Sequence, residues 1–232
     1  MKRNETLHSF HHRFWQRLDI LAENRTFVHE PLEKWQTRNL PHPVMNNNIE
    51  HHPFEPFIPE RARILILGTF PPARHRWCMP FYYPNFQNDM WRIMGILFFN
   101  DKEHFIIKGE KRFDQPKIEA FLKDKGIAMY DTATKIVRTK NTASDKDLNI
   151  IEETDVEAML DRMPQCTAII TAGQLATTTL CHRLSVKEPK VGDYVEMDYK
   201  ERTLRIYRMP STSRAYPMKP EHKAEQYAKA LH

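Results

Sequence analysis

Three short apolar runs, each followed at once by a turn or a polar residue, constrain the fold of this chain most strongly. They occupy residues 64–67 (ILIL), 127–130 (IAMY) and 167–171 (TAIIT). Short apolar runs closed by glycine, proline or aspartate are typical of strands buried in a parallel sheet. Helical patterns separate the runs, so strands and helices alternate. We therefore predict an α/β fold, a three-layer sandwich with a mainly parallel central sheet flanked by helices.

The remaining elements follow from periodicity and capping signals. Helices are predicted over residues 88–98, 115–125, 154–163, 174–184 and 221–231, and two further strands over residues 195–197 and 204–208. Gly126 stands where a glycine commonly ends a helix. Thr154 and Glu157 have the spacing of a capping box. Residues 132–151 are interpreted as a polar excursion between two elements.

The first 60 residues differ in pattern from the rest of the chain. Residues 1–27 have helical spacing of apolar side chains, whereas residues 30–60 carry six prolines and the run Asn46-Asn47-Asn48. Such a composition predicts an extended arm. We predict an amino-terminal arm, helical and then Pro-rich, over residues 1–60, and one α/β domain over residues 61–232.

Charge and composition narrow the class of partner. The 232-residue chain has a net charge of +5 and a pI of about 9.0, which favours an anionic partner. Its three cysteines lack CxxC spacing, and its histidine pairs, such as His51-His52, lack carboxylates at ligand spacing, so no metal site is predicted. No leader and no membrane-length apolar stretch is recognisable, and we expect a cytoplasmic protein that does not bind membranes.

Residues able to bind a nucleotide follow the predicted strands. The segment 68–91, GTFPPARHRWCMPFYYPNFQNDMW, combines seven aromatic rings with arginines and carboxamides, which suit base stacking, phosphate binding and reading of base edges. Asp131, Gly173-Gln174 and the PSTSR turn of residues 210–214 follow other strands. A parallel sheet brings all four segments to one edge. The alternative for the first segment is a long loop packed by its own aromatic residues.

The order of these motifs is similar to that of a known family. GTFP, FYYPNFQNDMW, GIAMYD with a downstream SDKDLN, and MPSTSRAY together resemble the uracil-DNA glycosylase superfamily, nearest to the hypoxanthine-DNA glycosylases and their mismatch-specific relatives. The resemblance covers residues 60–230. Its motif positions are Gly68, Pro71, Tyr82, Tyr83, Asn88 and Trp91.

The resemblance implies roles for individual residues. Asn88 takes the place of the asparagine that is important for catalysis in the hypoxanthine branch, with helix capping as the alternative role. Asp131 would contact the base or the attacking water, or would cap the turn that follows it. The implied base-binding residues are Gly68, Thr69, Phe70, Tyr82, Tyr83, Gly173 and Gln174. The implied DNA-binding residues are Pro210, Ser211, Thr212, Ser213 and Arg214. Arg214 would fill the vacated base stack, with a surface phosphate contact or a plain ion pair as the alternative.

Two residues depart from the family pattern. Phe70 occupies the position of a catalytic aspartate in the classical uracil enzymes and of an asparagine in the mismatch enzymes. Met209 replaces the histidine that polarises the uracil carbonyl. Efficient uracil excision by the familiar route is therefore not expected, and a different damaged base becomes the expected substrate.

The resulting expectation is a monofunctional DNA glycosylase that flips out a deaminated or mismatched base and hydrolyses its N-glycosidic bond. It would require no cofactor and would act as a monomer. Two alternatives stay open. One is a non-catalytic nucleic-acid-binding protein of the same fold, and the other is an N-glycosidase acting on small nucleotides.

Overall fold

The computed structural model describes residues 49–140, 142 and 144–231 of the chain. The helix predicted over residues 1–27, and the arm as far as residue 48, lie outside the described residues. The described strands are β1 (Ile49–His51), β2 (Ile64–Gly68), β3 (Ile127–Asp131), β4 (Ala133–Arg138), β5 (Leu148–Glu153), β6 (Ala168–Ala172), β7 (Asp193–Tyr199) and β8 (Arg202–Met209).

The main sheet has five strands in the order β3-β2-β6-β8-β7. Strand β2 pairs in parallel with both β3 and β6, and β6 pairs in parallel with β8, whereas β7 runs antiparallel to β8. The three apolar runs of the sequence form β2, β3 and β6, whose residues are almost all buried. The predicted α/β fold with a mainly parallel central sheet is therefore confirmed.

The helices of the described residues lie close to their predicted positions. They are α1 (Met90–Phe99), α2 (Gln115–Lys125), α3 (Val156–Asp161), α4 (Gln174–Arg183) and α5 (Pro220–Leu231). Helix α2 has its predicted bounds because both ends carry strong signals. The Asp114 side chain accepts a hydrogen bond from Lys117 N, and Gly126 adopts the left-handed conformation that ends the helix.

Helix α3 begins later than its capping signal predicts. Asp155, not Thr154, is the cap, because its side chain accepts a hydrogen bond from Ala158 N at 3.2 Å. The Thr154 hydroxyl instead donates to the backbone oxygen of Asp131 at 2.7 Å. Thr154 thereby fixes the end of β3, which is one of the strand ends that form the candidate site.

The interpretation of residues 132–151 as a polar excursion is wrong, because half of them belong to strands β4 and β5. These strands pair with each other and with β1 in a second sheet, of order β1-β4-β5. Only Ala133, Ile136 and Leu148 form its small buried core, against which Phe70 packs. Register shifts on both sides of Lys135 interrupt the two-residue alternation, so the sequence lacks the periodicity that identifies a strand.

The described part of the amino-terminal arm packs against the domain. Phe57 and Met129 exchange two backbone hydrogen bonds of 3.0 and 2.9 Å, so the arm covers the exposed edge of β3. Strand β1 continues this pairing along β4, where Arg138 forms an ion pair with Glu50 at 2.9 Å. Residues 49–60 therefore contribute to the same compact unit as the residues that follow them.

Replacing Gly126 with alanine is expected to destabilise the protein by about 2 kcal/mol or more. Its φ of 64° is strained for alanine by about 1–2 kcal/mol, and a Cβ would lie only 2.5 Å from the backbone oxygen of Arg61. Gly109 is the matched control, because it has a φ of 82° but nothing within 4 Å of its Cβ position. Urea unfolding should show a clearly smaller loss for Gly109→Ala, and equal losses would contradict the role of the Arg61 contact.

Candidate active site

Four strand ends meet at the carboxyl edge of the main sheet. Backbone hydrogen bonds join the turns directly, from Thr132 N to the oxygen of Gly68 at 2.9 Å and from Gly173 N to the oxygen of Met209 at 3.2 Å. The segments after β2, β3, β6 and β8 thus lie side by side, as their positions after parallel strands predict. The structure brings the candidate segments together, and the roles of their side chains stay predictions.

Gly68 allows the Asp131 carboxylate to lie against the end of β2. A Cβ on Gly68 would overlap Asp131 Oδ1 and would lie 3.2 Å from the hydroxyl of Tyr83. Only glycine leaves room for this approach. Gly68 therefore shapes the site through the space that it leaves for two polar atoms.

His52 is a site residue that the sequence analysis missed. Its Nε2 lies 2.9 Å from Asp131 Oδ2, and its Nδ1 lies 2.8 Å from the backbone oxygen of Phe54. The imidazole side chain is only 2% exposed. A carboxylate only accepts hydrogen bonds, so Nε2 carries the proton of the His52–Asp131 contact. The sequence analysis weighed His51-His52 only as metal ligands, and nothing in the Pro-rich arm indicated a contact 79 residues away.

The predicted stacking residues differ in accessibility. Tyr82 is buried, its hydroxyl donates to the backbone oxygen of Glu55 at 2.7 Å, and its ring lies 5.5 Å from Phe54. Phe70 is half-buried and meets His52 edge-on at 5.3 Å. Of these two rings, Phe70 is the one with a face left for a base.

Thr69 contacts a second carboxylate near the site, that of Asp145. Its hydroxyl donates to Asp145 Oδ2 at 3.2 Å. Burial raises the pKa of Asp145, and the nearby Asp131 raises it further, while Thr69 and Arg138 act in the opposite direction. Asp145 belongs to the SDKDLN segment, which was part of the resemblance but was not assigned a role.

Asn88 lies directly before Asp89, the cap residue of helix α1, and also borders the site. Its Oδ1 accepts a hydrogen bond from Met90 N at 2.9 Å, and its backbone forms an isolated antiparallel bridge with Ser213. Within the described residues its side-chain nitrogen donates no hydrogen bond. The side-chain oxygen of Asn88 is therefore engaged at the first residue of helix α1, whereas its NH₂ group is available to a ligand.

The turn of residues 210–214 is held by its own hydroxyl groups. Ser211 Oγ accepts from Ser213 N, and Ser213 Oγ accepts from Ala215 N, each at 3.2 Å. The buried Thr212 accepts from Asp89 N through its backbone oxygen, and Pro210 accepts from the Tyr227 hydroxyl at 3.0 Å. Both serine hydroxyls keep their protons for donation to a phosphate.

A buried ion pair fastens this turn to helix α1. Lys223 is fully buried, and its Nζ lies 2.9 Å from Asp89 Oδ2 and 2.8 Å from the backbone oxygen of Ser213. Asp89 Oδ1 also accepts from Arg214 Nε at 3.3 Å. The Arg214 side chain is 50% exposed, so it is tethered at the rim of the site and not free.

Gly173 and Gln174 have separate surroundings. Gly173 has a φ of 111°, and its Cβ position lies 3.5 Å from Ser211 Cβ, which places its backbone against the 210–214 turn. The Gln174 side chain is exposed and is engaged by Thr178, Glu188 and Arg208. The structure therefore brings Gly173, but not the carboxamide of Gln174, into contact with the other candidate residues.

A groove of about 910 Å³ adjoins Arg214. It is lined by six basic side chains and three acidic ones, together with Phe86, Ile106, Gly109 and Pro220. The basic residues are Arg92, Lys102, Lys108, Lys111, Arg214 and Lys219, and the acidic residues are Glu103, Glu110 and Glu221. Its net positive lining suits a polyanion.

The described residues show neither a metal-binding cluster nor a helix able to cross a membrane. No cluster of three or more histidine, cysteine, aspartate or glutamate side chains is arranged to hold a metal ion in the described part of the chain. None of the helices in this part is both long enough and apolar enough to cross a membrane.

The fold is similar to that of solved structures. It matches the solution NMR structure of a candidate uracil DNA glycosylase from Methanosarcina acetivorans with a TM-score of 0.51 and 19% sequence identity, over 78% of this chain and 99% of that chain. A likeness at this identity establishes a shared fold. No protein-family model matches the sequence, and no curated protein matches it.

Proposed function

We propose that this protein is a monofunctional DNA repair glycosylase that extrudes a deaminated or mismatched base and hydrolyses its N-glycosidic bond. The observation that carries the proposal is the position of Asp131 and of the 210–214 turn, to which Asn88 is bridged, at strand ends along the carboxyl edge of one sheet, where ligands bind in open α/β folds. The ordered motifs and the likeness in fold to a candidate uracil DNA glycosylase support the same reading.

The proposed chemistry divides between two polar side chains. The Asp131 carboxylate orients the attacking water toward the sugar C1′, which develops positive charge as the bond to the base lengthens. The Asn88 NH₂ group donates to the departing base and stabilises the negative charge that it gains. Because the Asn88 oxygen is held by Met90 N, this donor is fixed before the substrate binds.

The proposed DNA contacts surround these two groups. The hydroxyls of Ser211 and Ser213 donate to phosphates beside the extruded nucleotide, and Arg214 contacts the duplex at the rim. The lysines of the groove next to Arg214 contact further phosphates along the DNA strand. The half-buried Phe70 ring stacks on the base. Hypoxanthine and other deaminated bases are the proposed substrates, because the motifs are nearest to the hypoxanthine and mismatch branch.

Phe70 and Met209 favour a second candidate function. Met209 is fully buried and Phe70 packs with His52 and an apolar cluster, so neither residue supplies a polar group to the reaction. A protein of this fold that binds nucleic acid without catalysis would retain the basic groove and the serine turn. Both functions predict nucleic-acid binding that weakens as salt is added. Release of a base therefore distinguishes the glycosylase from the non-catalytic protein.

The test is an excision assay on labelled duplexes that contain uracil, hypoxanthine, xanthine or a mismatched thymine, with alkali used to cleave abasic sites. We expect release of at least one deaminated base, and a rate about 10²-fold lower for Asn88→Ala, because the variant lacks a charge-stabilising donor. Asn149→Ala, at an exposed position on β5, is the matched control and should retain the wild-type rate. Salt-sensitive binding without release of any base in the panel would favour the non-catalytic function.

A further inference from the structure

The hydroxyl of Tyr83 is a buried polar group without an assigned partner. The oxygen is shielded from solvent and forms no hydrogen bond among the residues that the structure describes. Buried polar groups in native proteins nearly always bind a protein group or an ordered water. A partner other than the described residues is therefore expected at this hydroxyl.

The backbone of Tyr83 adopts a strained conformation. Its φ of 50° lies in the left-handed region, which a bulky aromatic residue rarely adopts. Strain of this kind persists where the surrounding structure enforces it, and it is concentrated at functional sites. The inward position of the hydroxyl is thus retained despite two separate costs, in backbone conformation and in desolvation.

A carboxylate oxygen lies beside the hydroxyl. Both Tyr83 Oη and Asp131 Oδ1 lie within 3.2 Å of one point, the Cβ position of Gly68. Asp131 Oδ2 is occupied by His52, whereas Oδ1 forms no hydrogen bond in the part of the chain that the structure describes. Because Gly68 has no side chain, both oxygen atoms lie against the end of β2, and neither forms a hydrogen bond within the described residues.

We propose that Tyr83 Oη and Asp131 Oδ1 together bind one water molecule, and that this water is the nucleophile of the reaction; the second part rests on the proposed glycosylase function. The water donates a hydrogen bond to Asp131 Oδ1 and accepts one from the Tyr83 hydroxyl. His52 is a positioning residue, because its contact with Oδ2 directs Oδ1 toward the water. Tyr83 therefore acts through its hydroxyl and not as a stacking ring.

Burial raises the pKa of Tyr83, with smaller contributions from Tyr227, Asp131 and Asp145. The hydroxyl consequently keeps its proton at neutral pH and is a hydrogen-bond donor. In this state the Tyr83 hydroxyl donates a hydrogen bond to the water oxygen, and the Asp131 carboxylate accepts one from the water.

The reaction balances without a cofactor. The water oxygen forms a bond to C1′ as the C1′–N bond breaks, and the bonding electron pair leaves with the base. One water proton passes to Asp131, and the departing base takes up one proton, so the products are an abasic sugar and a neutral base. Asp131 returns its proton to solvent before the next cycle.

Tyr83→Phe removes the hydroxyl and keeps the ring. We expect kcat for base release to fall about tenfold to 100-fold, as the loss of one hydrogen bond to the nucleophile predicts, with unchanged KM and DNA affinity. The melting temperature should not fall, because the lost hydroxyl has no protein partner. Tyr194→Phe is the matched control, since Tyr194 is exposed on β7, and it should behave as the wild type. For His52, His52→Gln should retain more of kcat than His52→Leu, because only glutamine can donate to Asp131.

A crystal structure of the free protein tests the water site independently of activity. We expect an ordered water within about 3.2 Å of both Tyr83 Oη and Asp131 Oδ1, and its loss in Tyr83→Phe. An unoccupied or differently filled site in the wild type, or full activity of Tyr83→Phe, would overturn the inference. If the water is present and the wild type releases no base, the water site stands and the proposed glycosylase function fails, together with the nucleophilic role.

Discussion

An Asp131→Asn variant is expected to release the base about 10³-fold more slowly than the wild type, within the range for loss of a positioned acid–base group. The substitution preserves the size of the side chain and its position against Gly68. It removes the negative charge that receives the proton of the attacking water. Single-turnover release from the best duplex substrate measures the effect without interference from product dissociation.

The expected defect for Asp131→Asn lies in the chemical step. DNA affinity should remain that of the wild type, because Asp131 lies at the end of β3 and not on the 210–214 turn. Asp198→Asn serves as the matched control, since Asp198 is exposed on β7 and its side chain accepts a hydrogen bond only from Thr203 among the described residues. A rate within a few-fold of the wild type for Asp131→Asn would show that another group activates the water, and Asp145 would then be the first residue to test.

A Lys223→Met variant is expected to lose about 3–5 kcal/mol of unfolding free energy, the usual cost of removing one partner of a buried ion pair. Methionine fills nearly the same space, so packing changes little. The loss arises because, among the described residues, the buried charge of Asp89 keeps only the longer contact to Arg214, and because the backbone oxygen of Ser213 loses one of its two donors and keeps only Tyr216 N. Urea unfolding monitored by tryptophan fluorescence measures the change.

The same helix provides the control for Lys223→Met. Lys229 on α5 is exposed, and within the described part of the chain its Nζ donates only to Gly192 and Gln226, so Lys229→Met should change stability by no more than about 0.5 kcal/mol. Adding Asp89→Asn to Lys223→Met should restore part of the lost stability, because it removes the uncompensated charge. If the double variant is as unstable as the two single losses added together, the pair is not coupled as its geometry indicates.

Local signals of the sequence predicted β2, β3 and β6 because these strands are almost entirely buried and therefore mostly apolar. Residues 64–67, 127–130 and 167–171 lack the ambiguity of half-exposed strands, and Gly126 marks a helix end by a conformation that other residues rarely adopt. Strands β4 and β5 escaped prediction because their buried face is small and their register shifts.

The candidate site was predictable to the extent that it follows the strands. Asp131, the 210–214 turn and the GTF segment are placed by strand ends, and pattern alone brings them together. The His52–Asp131 contact depends on the path of an irregular segment across the edge of β3, which no periodicity encodes. The Asp89–Lys223 pair was likewise not predictable, because neither residue carries a sequence signal that distinguishes a buried charge from an exposed one.

The anchoring of the serine turn by Lys223 has a consequence for the order of assembly during synthesis. The loop with Asp89 leaves the ribosome long before helix α5, and chains are made amino terminus first. Until α5 has emerged and docked, Asp89 lacks its main counter-ion and the backbone oxygen of Ser213 lacks its bond from Lys223. A nascent chain with its sheet already formed is therefore expected to lack an anchored 210–214 turn, and any binding through that turn is expected to depend on α5.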